Sequence, residues 1–312
     1  MLFRSDLPWQ NTRDPYRVWL SEVMLQQTQV STVLGYYERF LERFPHVQAL
    51  AEAPLDDVLA LWSGLGYYSR ARNLHRCAQA VVHEHGGRFP PDAQTLATLP
   101  GIGRSTAAAI AAFCHGERAA ILDGNVKRVL ARALGFGEDL AQAASERRLW
   151  ALAESLLPAT GIEPYTQGLM DLGARICLPR RPQCGACPLA EDCVALREGA
   201  PERYPVKTRK LRRSRRRHAL LWLERGDGVW LVQRPATGVW AGLWSLPEFD
   251  DAEALGAMAA GWPGEGEWLP AFQHVLTHFD WTLQPLRWHL PPRAATPPPL
   301  AAGGRWFKAD EA

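Results

Sequence analysis

Four cysteines crowd one short segment of this chain. Cys177, Cys184, Cys187 and Cys193 are separated by six, two and five residues. Thiolates so placed can surround a metal, as a structural zinc or as a [4Fe–4S] cube. Zinc modules usually carry two close cysteine pairs, and here only Cys184 and Cys187 form one. A second signal runs from Leu99 to Asp123, LPGIGRSTAAAIAAFCHGERAAILD. Its turn carries Gly101 and Gly103, which permit backbone conformations that other residues resist and a close approach to a partner. N–H groups pointing outward where the next helix starts form a seat for an anion, and a DNA phosphate is the natural occupant. A Pro-Gly turn between helices also occurs where nothing binds. Two carboxylates need the same weighing: Glu22 sits on a partly apolar helix and suits a cap or a salt bridge, and Asp123 can cap a helix that begins near Asn125.

The elements that must position these residues are mostly helices. Asp14-Pro15 starts a helix to about residue 27, with Tyr16, Trp19, Leu20, Val23 and Leu25 as its apolar side. Val30 to Phe44, residues 55–62 and Arg70 to His85 follow, with a Gly64–Tyr68 loop between the last two. Asp92 caps a short helix over 93–98, and the hairpin leads into a helix over Thr106–Cys114. Asn125–Leu134, Ser145–Leu157 and Tyr165–Arg175 complete a nearly all-α first part, residues 1–203. Residues 204–217 read as a basic linker. Beyond them the periodicity changes: His218–Glu224, Val229–Arg234, Thr282–Leu290 and Trp306-Phe307 are strand-like, and Asp251–Ala260 is helical. Residues 218–312 therefore predict a smaller α/β domain, with Pro291 to Pro299 in a loop.

With 312 residues, 35 of them basic and 33 acidic, the chain can bury a large core and carries a formal charge of only +2. The charge is unevenly spread: Arg203 to Arg217 holds nine Lys or Arg and no acid. That suits a polyanion, and equally a solvated linker. No signal peptide and no apolar run of membrane-spanning length appears, so a cytoplasmic protein is expected. Cys77 and Cys114 fall in helical patterns as buried thiols. The thirteen tryptophans mostly sit in apolar patterns, though some could stack on bases.

The cysteine spacing, placed after a helix-hairpin-helix (about residues 92–114) and an Asp, resembles the endonuclease III superfamily of DNA glycosylases. Within it the chain resembles adenine DNA glycosylases of the MutY type over nearly its whole length. The closest matches are WLSEVMLQQTQV from Trp19, GLGYYSR from Gly64 and LDGNV from Leu122. The resemblance implies a helix-hairpin-helix core, a [4Fe–4S] cluster on the four cysteines of residues 177–193, and a Nudix-like domain after the linker. It also implies a further helix ahead of the first residue. The implied partner is duplex DNA with adenine opposite 8-oxoguanine or guanine, met by a monomer working at the nucleoid of a bacterial-type cell, without membrane contact.

Adenine is a poor leaving group, so cutting its N-glycosidic bond needs a proton on the base and negative charge near the sugar. The resemblance gives Glu22 the acid role at N7 and Asp123 the counter-charge. Ser105 stands where strand-nicking relatives carry an attacking lysine, which implies a monofunctional enzyme that leaves an abasic site. Arg4, Trp9, Leu25 and Gln167 would form the adenine pocket, Gln26 and Tyr67 the wedge, and Gly101 and Gly103 the phosphate seat. Arg175, Arg180 and Arg181 would serve phosphates near the cluster. Thr277 and His278, in a Thr-His-Phe run followed by Asp280, would read 8-oxoguanine; His278 also reads as an ordinary turn histidine. The second domain has no Glu-rich helix, so it is not expected to be a pyrophosphatase. The alternatives are a thymine or uracil mismatch glycosylase on the same scaffold, and a non-catalytic iron–sulfur damage binder.

Overall fold

The computed structural model describes residues 7–208, 213–297, 300 and 303–308, in two compact units that divide at Arg209 and Lys210. Arg4 lies outside the described residues.

The first unit is helical. Its helices are α1 (Pro15–Leu25), α2 (Val30–Arg43), α3 (Val47–Glu52), α4 (Leu55–Trp62), α5 (Ser69–His85), α6 (Ala93–Leu96), α7 (Arg104–His115), α8 (Gly124–Ala133), α9 (Ala143–Ser155), α10 (Ile162–Arg175) and α11 (Val194–Arg197). The periodic segments became helices to within a few residues, because their starts are local: Asp14 accepts from the Tyr16 N–H and Asp92 from the Thr95 N–H. The short helix α3, which the sequence reading did not assign, begins where His46 accepts from the Ala49 N–H. Trp19, Leu20, Met24, Tyr37, Phe40, Phe44 and Trp62 are buried, Phe40 standing edge-on to both Phe44 and Trp62, and the Tyr16 hydroxyl donates to the Phe44 carbonyl at 2.6 Å.

Helix α7 is the axle of this unit. Residues 107–112 are all buried, and the small side chains of the alanines on either side of Ile110 let α1, α6 and α10 pack against one rod. A second tight approach brings α10 to the start of α8, where a Cβ on Gly173 would come within 2.6 Å of the Asn125 Cβ. These close crossings carry residues from four elements to one place.

The second unit is built on a sheet with strands β1 (Ser214–Arg225), β2 (Gly228–Gln233), β3 (Trp244–Ser245), β4 (Glu248–Phe249), β5 (Glu265–Trp268), β6 (Phe272–Val275), β7 (Phe279–His289) and β8 (Gly304–Lys308), plus one helix, α12 (Ala252–Ala259). Strand β1 begins inside the stretch read as linker, because Ser214 to Arg217 pair with Phe279 to Thr282. The long β1 and β7 run parallel in the middle of the sheet; β2 continues it to β8 and β3, and β5 and β6 pair end to end along the far edge of β7. On one face Ala219, Leu221, Leu223 and Leu286 pack under Leu255 and Ala259 of α12. On the other, Phe279, Trp281 and Leu283 pack with Leu220 and Trp240. The edge is interrupted opposite Pro285: Phe272 pairs Leu283 and Trp268 pairs Leu286, so one extra residue bulges where β7 has no N–H to give.

Candidate active site

A cavity of about 560 Å³ opens in the helical unit. Glu22 and Leu25 reach it from α1, Ser105 from the first turn of α7, Asp123 from the cap of α8, and Gln167 and Asp171 from α10; Trp9 closes one wall. Trp9 is buried and stands edge-on to Tyr37, with ring centroids 5.2 Å apart. The two carboxylates singled out from sequence thus share one chamber, although they lie about a hundred residues apart.

Their surroundings differ. Burial pushes the Glu22 carboxyl up to about 7, and the negative charge of Asp123 adds to the rise. Asp123 caps α8, accepting from the Val126 N–H at 2.7 Å. Ser105 Oγ accepts from the Leu122 N–H at 3.0 Å, so its hydroxyl pins the backbone one residue ahead of Asp123. Gln167 Nε2 donates to Asp171 Oδ1 at 3.0 Å, and burial raises the Asp171 carboxyl. The sequence reading passed over Asp171; its spacing of one helical turn from Gln167 was the available signal.

Two loops joined through Arg70 carry strained backbone. Gln27 and Tyr67 both hold positive φ, 59° and 49°. Tyr67 is exposed, and Gln26 ends α1. Between the loops sits Arg70, buried, whose Nη1 donates to the Val23, Met24 and Gln26 carbonyls and whose Nη2 donates to Leu65 O, Gly66 O and Thr28 Oγ1. Burial lowers its pKa to about 10. No sequence pattern announced this clamp.

In the hairpin only Gly101 has a left-handed backbone, φ +76°, and a Cβ there would stand 2.6 Å from that of Asn73. Gly103 is the extended cap of α7 with φ −85°, a backbone that does not use the freedom glycine permits. Open space surrounds its Cβ position among the described residues.

The cysteine segment is held by α8. Arg132 is buried and donates to the Leu178, Pro179 and Tyr204 carbonyls and to Cys177 Sγ at 3.3 Å. Arg128 Nε donates to the Cys177 carbonyl at 2.6 Å. Cys177 and Cys187 pack with Leu189 on Val129, Leu172 and Ile176. In the second unit Thr277 and His278 are exposed in the turn between β6 and β7, where the His278 carbonyl accepts from the Ser214 N–H at 3.2 Å. Phe279 is buried beneath the Arg216 guanidinium, and Asp280 pairs with Arg213.

Residues 20–155 match the family model of HhH-GPD superfamily base excision DNA repair proteins, residues 177–193 that of the iron-sulfur binding domain of endonuclease III, and residues 218–312 that of the NUDIX domain. Over 295 residues the chain is 38% identical to the adenine DNA glycosylase of Buchnera aphidicola subsp. Acyrthosiphon pisum, covering 92% of this chain and 83% of that one. The chain belongs to the adenine DNA glycosylases. The mouse member is 36% identical across 99% of this glycosylase and 72% of its own length. Among solved structures, a thermostable thymine-DNA glycosylase superposes with a TM-score of 0.56 and 31% identity over 62% of this chain and 90% of its own. An endonuclease III–DNA complex shares the fold at a TM-score of 0.52 and 22% identity, over 64% of this chain and 90% of that one. No helix of the described residues is long and apolar enough to cross a membrane.

Proposed function

We propose that this glycosylase hydrolyses the N-glycosidic bond of adenine mispaired with 8-oxoguanine, and more weakly with guanine, leaving an abasic site without cutting the strand. The observation that carries the reading is the pair of unlike carboxylates in one cavity. Glu22, with its pKa near 7, is about half protonated at neutral pH, and the protonated form can deliver its proton to N7 of the departing base. Asp123, at the N-terminus of α8, faces the same space with negative charge for the sugar as it becomes oxocarbenium-like. Ser105 supplies no amine to attack the sugar; it steadies the backbone that carries Asp123.

The base must leave the duplex to reach this cavity. Trp9, Leu25 and Gln167 would receive the adenine, together with Arg4. Gln26 and Tyr67 would fill the gap left in the stack, an arrangement supported by the strained loops that present them. Gly101 and Gly103 would seat a phosphate at the start of α7. In the second unit, the exposed Thr277 and His278 would hydrogen-bond 8-oxoguanine.

Cys177, Cys184, Cys187 and Cys193 would hold a [4Fe–4S] cluster. The donor set fits it: four thiols whose charges act on one another, braced by Arg132. Among the described residues no three such side chains close on the single point that one ion would need, whereas a cube takes one thiolate at each of four separate irons. When bound, the cluster ties residues 177–193 together as a structural cross-link.

The test is base release from duplexes carrying adenine opposite 8-oxoguanine, adenine opposite guanine and thymine opposite guanine, with strand breaks read before and after alkali. Adenine release that disappears in Glu22→Gln, with breaks only after alkali, is the expected result. Release of thymine in preference to adenine would move the assignment to the mismatch glycosylase that the thymine-DNA glycosylase likeness represents.

A further inference from the structure

A cavity that receives part of a polyanion is an unfavourable place for carboxylates, and four line this one; Glu163 among them is paired with Arg13 at 3.0 Å. Glu22 and Asp123 have chemical reasons to be there. Asp171 has none in the reaction, and burial raises its pKa. Its nearest charge compensation is Arg175, one turn further along α10. Among the described residues, Gln167 is the side chain that hydrogen-bonds it, from Nε2 at 3.0 Å.

The consequence lies in the amide. A glutamine side chain is nearly symmetric in shape, and turning it over exchanges a donor for an acceptor. Oδ1 of Asp171 accepts from the Nε2 end of Gln167 at 3.0 Å, which leaves Oε1 as the amide's acceptor toward the cavity. Turning the amide over would break that hydrogen bond and set Oε1 against Oδ1 of Asp171. A purine with a 6-amino group offers an N–H donor to that oxygen, whereas a 6-oxo purine offers another acceptor. We infer that Asp171 is a specificity-determining positioning residue: by locking the Gln167 amide it makes the pocket accept 6-aminopurines and reject 6-oxopurines. This rests on the proposed adenine pocket and names the group that gives it polarity.

The experiment is single-turnover base release from duplexes with adenine or hypoxanthine opposite 8-oxoguanine. Hypoxanthine is the probe because it keeps the purine shape and N7 but replaces the 6-amino group with an oxygen. The readout is the adenine-to-hypoxanthine rate ratio, measured on one preparation so that any unfolded fraction cancels. Asp171→Asn can offer Gln167 either a donor or an acceptor, so it frees the amide to turn. The ratio should fall on the order of tenfold in Asp171→Asn and in Gln167→Met, with no further fall in the double variant, since both remove one device. A ratio that stays at the wild-type value in Asp171→Asn overturns the inference, as does a double variant whose loss is the product of the single losses. A wild type that releases no adenine at all would instead sink the adenine pocket itself, a result distinct from an unmoved ratio.

Discussion

Glu22 links catalysis to stability, and one substitution reads both. Its carboxyl rises from an ordinary value of 4.5 to about 7 because burial disfavours the ionised form and Asp123 repels it. At 1.36 kcal/mol per pH unit, that difference corresponds to about 3 kcal/mol. Water in the open cavity screens part of it, so about 3 kcal/mol is an upper bound. The sign follows from proton counts. Below pH 4.5 the group is protonated whether the chain is folded or not, and it contributes no difference. Between 4.5 and about 7 the folded chain keeps a proton that the unfolded chain releases, so stability falls as pH rises. Above 7 the full cost is present. Glu22→Gln never ionises and escapes it. Urea unfolding of the full chain, followed by helix signal, should show the variant level with wild type at pH 4.5 and more stable by up to about 3 kcal/mol at pH 8. Wild-type base release should follow the protonated fraction, falling about fivefold between pH 7 and 8 and nearing about tenfold per unit beyond. A variant no more stable than wild type at pH 8, or a release rate flat from pH 6 to 9, would refute the claim that Glu22 is a buried acid.

Asp123→Asn should abolish base release while leaving unfolding within about 1 kcal/mol of wild type, because Asn caps a helix as well as Asp; measuring both separates the cap from the counter-charge. Ser105→Ala leaves the Leu122 N–H without its acceptor and should cost about 1–3 kcal/mol in urea unfolding, with a several-fold slower release as the backbone before Asp123 loosens. Arg70→Met takes a donor from five carbonyls. Those of Val23, Gln26 and Gly66 keep the Gln26 N–H, Thr28 Oγ1 and Trp62 Nε1, so the loss falls on Met24 and Leu65 and should destabilise the chain by on the order of 2–4 kcal/mol, read by the same titration. Arg70→Lys keeps the charge but not the fork, and should recover only part of that loss.

What could be read in the sequence was whatever local chemistry decides. Helix starts were legible at Asp14 and Asp92 because a cap and its N–H groups lie within three residues of each other. The cysteine spacing and the Glu22 and Asp123 motifs were legible through family likeness, and the cavity brings the two carboxylates together. What was not legible depends on contacts made across the chain. Arg70 looks like any helix-start arginine until the α1 end and the 64–68 loop fold over it. Strand β1 hid inside a run of arginines, since a basic stretch reads as linker unless a partner strand such as β7 is known. Strands β5 and β6 are exposed along most of their length, so they lack the alternation by which a half-buried strand shows itself.

The two carboxylates owe their unlike behaviour to where each sits on its helix. Glu22 lies in the body of α1, where the backbone N–H groups are already spent within the helix and none is left to solvate a charge, so burial raises its pKa. Asp123 lies one residue before α8, where unpaired N–H groups and the positive end of the helix dipole favour negative charge, and it takes the Val126 N–H. An acid and an anion can therefore occupy one cavity without a metal or a lysine to separate their roles. Moving Asp123 one turn into α8 would exchange cap for body and remove the difference that the reaction needs.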